Sequence, residues 1–259
     1  MTITFLGSGT SHGVPVIGCH CDVCSSRDSR DRRFRPSILV QQDDGTHVLV
    51  DTAPDLRSQA LACGVERVDA VVFTHSHADH IFGLDELRRY NNLRRAALPV
   101  HADRHTLADL HRIFGYAFDS PPELGGGVPR LVPHEIVGPF EIAGERWLPV
   151  PILHGRREIL GYRIGGFAYL TDCSHIPEGS IPLLRDLDLL VLGALRIRPH
   201  PTHFSLDQAV AMAQVLAPRR ALFTHISHEL PHAATCARLP ASMALAYDGL
   251  SVELPTPAA

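Results

Sequence analysis

Thr74-His75-Ser76-His77-Ala78-Asp79-His80 follows directly on the apolar run Ala70-Val71-Val72-Phe73. The run is short, β-branched and aromatic, which predicts a buried strand. The ligand-type residues therefore stand where a strand ends and the chain turns. Imidazole and carboxylate together suit Zn, Mn or Fe. Four such groups on one turn do not easily face one ion. His75 and His77 on one side, with Asp79 and His80 on the other, can open two adjacent sites. A solvated His-rich tract is the alternative, and a strand feeding straight into four potential ligands speaks against it.

Later apolar runs stop in the same way. Val150-Pro151-Ile152-Leu153 stops at His154, Ala168-Tyr169-Leu170-Thr171 at Asp172, and Arg220-Ala221-Leu222-Phe223-Thr224 at His225. Sheets with parallel strands bind ligands at the carboxyl ends of those strands. One strand ending in His carries little weight. Four strands that each deliver a ligand-type residue point to one site.

H-x-H-x-D-H after a buried strand resembles the metallo-β-lactamase superfamily of metal-dependent hydrolases. The resemblance implies an α/β fold, the αββα sandwich of two mixed β-sheets flanked by helices, formed by residues 1–259 as one domain. It implies that His75, His77 and His154 hold a first metal and that Asp79, His80 and His225 hold a second. Asp172 is similar to the carboxylate that bridges both, and Asp51 matches a strand-end Asp that orients the His-rich turn. Two ions roughly 3.5–4 Å apart clamp the attacking and leaving oxygens of an in-line displacement, and water bound to them ionises near neutral pH.

Composition narrows the setting. The chain has 259 residues and a net charge of −4, which suits one large α/β domain and argues against a nucleic-acid polymer or a membrane surface as partner. Met1-Thr2-Ile3-Thr4-Phe5-Leu6 does not read as a signal peptide, and no apolar run is long enough to span a bilayer, so a cytoplasmic location is expected. Every basic residue other than His is Arg, so a Lys nucleophile or Schiff base is excluded.

Along the chain, Thr2 to Leu6 predicts a strand entering the small-residue turn Gly7-Ser8-Gly9-Thr10-Ser11-His12-Gly13, where Ser8 and Thr10 are candidate substrate contacts. Two strands, 37–40 and 47–50, form a hairpin around Asp43-Asp44-Gly45. Helices are expected from Pro54 to about Cys63, Gly83 to Leu93, Arg104 to Phe114, Ser180 to Leu187 and Ser205 to Leu216, the last capped by Ser205. Further strands are expected at 99–101, around Phe140, and at 146–153, 159–164, 167–171, 189–192 and 220–224. The Pro/Gly loop from Ser120 to Gly127 is a candidate lid.

Six cysteines are present, and Cys19-x-Cys21-x-x-Cys24 clusters three of them in a loop at about 12–35. Such a cluster in a reducing compartment binds metal, and structural zinc needs a fourth ligand. His228, His20 and His12 are candidates. Cys63, Cys173 and Cys236 read as small buried hydrophobes. The cluster, together with Thr224-His225-Ile226-Ser227-His228, resembles the accessory Cys3His zinc site of the phosphoribosyl cyclic phosphate phosphodiesterases of phosphonate breakdown, which assigns His228. In those enzymes a His contacts the phosphate and protonates the leaving oxygen, and His203 in Pro199-His200-Pro201-Thr202-His203-Phe204-Ser205 matches it.

The expected activity is thus that of a phosphodiesterase acting on a small, cyclic phosphodiester, with two active-site metals (Zn or Mn) and one structural zinc. Asp79, Asp172 and His203 are the residues expected to carry the chemistry. The alternatives are a thioesterase, lactonase or nuclease of the same fold, or a cofactor-biosynthesis or binding protein like the pyrroloquinoline-quinone pathway member. A homodimer is left open.

Overall fold

The computed structural model describes residues 1–119 and 127–255. The expected lid, Ser120 to Gly127, therefore lies outside the described residues except for Gly127. Two seven-stranded sheets face each other, with strand orders β14-β1-β2-β3-β4-β5-β6 and β13-β12-β11-β10-β9-β8-β7. In the first sheet β1 (Thr2–Gly7), β2 (Ser37–Gln41) and β3 (His47–Val50) are antiparallel neighbours, and β3, β4 (Ala70–Val72), β5 (Leu98–Ala102) and β6 (Leu131–Glu135) run parallel. In the second, β7 (Phe140–Ile142), β8 (Glu145–His154), β9 (Arg157–Ile164) and β10 (Phe167–Leu170) are antiparallel. There β10 to β13 run parallel, through β11 (Leu189–Gly193), β12 (Arg220–Thr224) and β13 (Met243–Leu245). β14 (Ser251–Glu253) pairs antiparallel with β1. This is the expected αββα sandwich.

The central strands are apolar on both faces because both faces are covered. Val48 and Val50 of β3, with Ala70 and Val72 of β4, enter the core between the sheets, where they meet Tyr162, Tyr169, Leu189 and Val191. The alternate residues Leu49 and Val71 pack outward with Leu56, Leu87, Tyr90 and Leu110. These belong to α1 (Leu56–Cys63), α3 (Leu87–Arg94) and α4 (Arg104–Asp119). On the far side Leu190 and Leu192 pack with Ala209, Ala213 and Leu216 of α5 (Leu206–Leu216), whose first turn is closed by a capping box of Ser205 and Gln208. That cap is the one expected from sequence.

The short α2 (Ala78–Ile81) begins inside the His-rich turn, and α6 (His232–Cys236) follows β12. The helix expected over 180–187 is instead a 3-10 helix, Glu178–Leu184, with Pro182 inside it. Proline lacks the N–H an α-helix needs and crowds the preceding turn. The strands β6, β13 and β14 and helix α6 had no counterpart in the sequence reading. Each is short, and β6 keeps only its first residue buried. At Gly83, after α2, an added Cβ would meet the Ala53 carbonyl oxygen at 2.0 Å, so the turn packs onto the end of β3 only with glycine there.

Candidate functional site

β8, β10 and β12 run in the same direction in their sheet, as do β3 and β4 in theirs, so their carboxyl ends gather along one edge. There the chain turns sharply. Asp51, Asp172 and His225, just past β3, β10 and β12, all have left-handed backbones, with φ of 63°, 55° and 58°. Non-glycine residues seldom hold this conformation, and it is held where surrounding structure imposes it, commonly at functional sites. The turns fold the side chains back over the strand ends.

Two clusters result. One donor atom each from His75, His77, His154 and Asp172 lies within 4.8 Å of the others, and the same holds for Asp79, His80, Asp172 and His225. Asp172 belongs to both. Its Oδ1 lies 3.2 Å from His80 Nε2, and its Oδ2 lies 3.3 Å from His225 Nε2 and 3.9 Å from His75 Nε2. Asp79 Oδ2 is 3.3 Å from His80 Nε2 and 3.4 Å from His225 Nε2. The seven residues singled out in the sequence thus converge from four separate stretches.

Neighbouring groups set which imidazole nitrogen faces the centre. His154 Nδ1 lies 2.7 Å from the Thr202 carbonyl; a carbonyl only accepts, so Nδ1 carries the proton and Nε2 is left with its lone pair. His80 Nδ1 lies 2.7 Å from Asp51 Oδ2, and Asp51 also accepts from Thr74 N and Thr74 Oγ1 at 2.8 Å each. Asp51 therefore braces the His-rich turn and turns His80 Nε2 inward. The inner nitrogens of His75 and His80 are buried with no hydrogen-bond partner among the described residues. Buried polar atoms of that kind are rare unless something fills the gap.

The electrostatics agree. Burial opposes the charge on Asp172 and Asp79, yet neighbouring His225 and His80 hold Asp172, and His80 and His225 hold Asp79, below the usual carboxylate range. Burial likewise opposes a proton on His80, and Asp79, Asp172 and Asp51 outweigh it. His75 and His77 are pushed down by burial, His75 further by His80 and His77 by His154. Two buried carboxylates among imidazoles with free lone pairs form a donor set suited to divalent cations, with His80 giving up its proton on binding.

His203 stands over this centre. Its Nδ1 is 4.0 Å from Asp172 Oδ2, and its ring centroid lies 4.6 Å from that of His154 and 4.7 Å from that of His225. Burial and then the neighbouring His225 push its pKa down to about 3, so in the free protein it is a neutral N–H donor at pH 7. Ser8 has a different place from the one expected. Its N–H and hydroxyl both donate to Asp248 Oδ1, at 2.8 and 2.7 Å, and it is fully buried. Thr10 is also buried, and its N–H donates to the Ile226 carbonyl. Ser8 thus binds the turn to the rest of the chain instead of presenting donors to a ligand.

A third metal-type cluster, apart from these two, is Cys19, Cys21, Cys24 and His228. His228 Nδ1 lies 3.3, 3.4 and 3.5 Å from the three sulfurs in that order. His12 and His20 are not part of it. The Cys24 N–H lowers the Cys21 thiol to about 6, whereas burial lifts that of Cys24 to about 11. Buried Arg33 ties this loop down, donating to Asp31 Oδ1 at 3.1 Å and to the Ser227 and Leu230 carbonyls at 2.8 and 2.7 Å. The loop is thereby fastened to the segment that carries both His225 and His228. Sequence reading missed Arg33, Asp248, Thr74 and Thr202. Each acts on a partner distant in the chain or through its backbone, and no local pattern marks such residues.

Comparison with known proteins adds to this geometry. A family profile described as the Beta-lactamase superfamily domain matches residues 46–226. A crystal structure described as a new diphosphatase from the PhnP family has a TM-score of 0.90 and 48% identity, covering 97% of this chain and 96% of that one. Zn(2+)-bound PqqB from Methylobacterium extorquens has a TM-score of 0.79 at 21% identity over 98% of this chain and 100% of that one, a likeness of fold. A Porphyromonas gingivalis protein named octanoyltransferase is 39% identical over 252 residues, which is 96% of this chain and 51% of that protein. The chain spans about half the length of that relative.

Proposed function

The chain belongs to the β-lactamase superfamily, as a hydrolase of the metallo-β-lactamase fold that resembles the PhnP family, and we propose that it cleaves a P–O bond in a small phosphodiester. The observation that carries this reading is Asp172, shared by two His/Asp clusters and flanked by His203. We assign His75, His77, His154 and Asp172 to one divalent ion, Asp79, His80, Asp172 and His225 to a second, and Cys19, Cys21, Cys24 and His228 to a structural zinc. Two divalent ions in the active site would supply Lewis acidity and a water of lowered pKa.

The residues around them have separable tasks. Asp51 and the Thr202 carbonyl hold His80 and His154 in the tautomer that aims Nε2 inward. His203 lies where its ring N–H can meet a phosphate oxygen, and an anionic substrate beside it favours its protonated form. As a proton donor it would contribute ~10²–10⁴-fold to rate. The donor set suits hydrolysis by a metal-activated water better than the acyl transfer named for the P. gingivalis relative. The chain has no lysine. Cys173, next to Asp172, is buried with its thiol pushed up by that burial, unlike the thiolate a covalent acyl carrier needs.

A second reading, hydrolysis of a diphosphate, is favoured by the 48% identity to the PhnP-family diphosphatase. The test is turnover by manganese- or zinc-loaded protein on bis(p-nitrophenyl) phosphate, 2′,3′-cyclic nucleotides, a cyclic ribose phosphate and a diphosphate ester, beside a thioester and a lactone. Cleavage of the carbon esters alone would end the phosphoester reading. His203→Ala should lose far more activity on an alkoxide leaving group than on nitrophenolate, which departs without a proton. Equal losses would leave His203 a phosphate-positioning residue.

A further inference from the structure

The β8–β9 hairpin brings a guanidinium to the edge of the first cluster. His154 and Arg157 are directly opposite in the antiparallel register, so their side chains leave the same face of the sheet with Cβ atoms about 5 Å apart. Arg157 Nη2 also donates to Ser76 Oγ at 3.1 Å, and Ser76 lies between His75 and His77. Ser76 in turn donates to Asp109 Oδ2 at 2.6 Å. Hairpin register and His-rich turn independently put the same cation beside His75, His77 and His154.

Arg157 is not used up by these contacts. Asp109 is 4.0 Å away and already takes bonds from Ser76 and from Arg112, the latter at 3.0 Å, while 37% of the Arg157 side chain is exposed. A guanidinium carries five N–H donors in a planar fork that matches phosphate oxygens. Among the described residues, the one hydrogen bond of Arg157 leaves most of that fork open to a ligand. The His203 ring lies 4.6 Å from that of His154 and 4.7 Å from that of His225, and its Nδ1 is 4.0 Å from Asp172 Oδ2. A phosphoryl group held over Asp172 therefore lies beside His203, and a second group extending past His154 comes within reach of Arg157. An uncharged alcohol leaving group would offer the fork a single neutral acceptor, whereas a second phosphoryl group would offer two anionic oxygens.

Resting on the phosphoester reading above, we propose that Arg157 is a substrate-binding residue for a second phosphoryl group, and that the substrate class is a diphosphate ester cleaved between its two phosphorus atoms. Water oxygen bonds to the phosphorus over Asp172. The bridging P–O bond breaks, and its electron pair leaves on the oxygen of the phosphate that Arg157 holds. The two hydrogens of the water end one on each product before ionisation. Charge builds on the departing phosphate as the bond breaks, so the contact strengthens toward the transition state.

The test compares ADP-ribose with bis(p-nitrophenyl) phosphate, using metal-loaded protein. Arg157→Gln is expected to lose about 10–100-fold more in kcat/KM on the diphosphate than on the diester. Arg157→Lys should fall between Gln and wild type. The Kd of the non-hydrolysable α,β-methylene-ADP, measured by calorimetry, should rise about 10–100-fold in Arg157→Gln. Equal losses on both substrates, or an unchanged Kd, would overturn the assignment. Arg112→Gln, which removes the other cation on Asp109, should keep the wild-type preference, and an equal shift there would also overturn it. Wild-type protein that cleaves neither substrate would defeat the phosphoester reading itself, and the calorimetry would then judge Arg157 by itself.

Discussion

Replacing Asp51 tests whether the His-rich turn is held from beneath. The side chain is fully buried and accepts from Thr74 N and Thr74 Oγ1 at 2.8 Å and from His80 Nδ1 at 2.7 Å. Asp51→Ala leaves those donors buried without an acceptor and places alanine at φ 63°. Breaking a buried charged pair from one side costs about 3–5 kcal/mol, and this outweighs the ~1 kcal/mol of left-handed backbone strain. In a chain of this size that loss is roughly 10 °C in Tm. Asp51→Asn separates stability from ligand placement. Asparagine tolerates the left-handed backbone and its carbonyl can still accept from the Thr74 N–H, but its NH2 faces His80 Nδ1. It should stay folded and lose about 10–100-fold in affinity at the cluster containing His80, with the cysteine cluster unaffected. Thermal denaturation of both variants and metal analysis across a chelator titration measure the two effects. An Asp51→Asn protein that retains wild-type metal affinity would refute the bracing argument.

Cys21→Ser should lose one ion of about three in fully loaded protein and melt earlier, because a structural zinc contributes folding energy directly; retention of every ion by elemental analysis would remove the zinc assignment. Asp172→Ala takes away the one carboxylate common to both clusters. It should abolish turnover and lower active-site metal content while sparing the cysteine-bound ion, and an active variant would contradict the two-metal arrangement.

Much of this site could be read from the sequence because its donors lie at the ends of strongly apolar runs. Burying β4, β8, β10 and β12 requires those runs, and the turn after each is where a polar residue first becomes affordable. His75, His77, Asp79, His80, His154, Asp172 and His225 therefore stand out locally, and strand direction puts them at one end of the sheets. The Cys19-Cys21-Cys24 spacing is local too, and the family resemblance already pointed to His228 as the fourth donor, which β12 brings beside that loop. What the tertiary structure decided lies at longer range. Ser8 looked like an anion-binding turn residue until Asp248, 240 positions away, took both of its donors. Arg157 carries no sequence signal, and its place beside the first cluster comes from hairpin register and a hydroxyl in the turn after β4. The left-handed turns at Asp51, Asp172 and His225 are held by packing against distant neighbours. A strand's apolar pattern is set by the residues within it, but the direction of a side chain past its end is set by whatever the fold brings alongside.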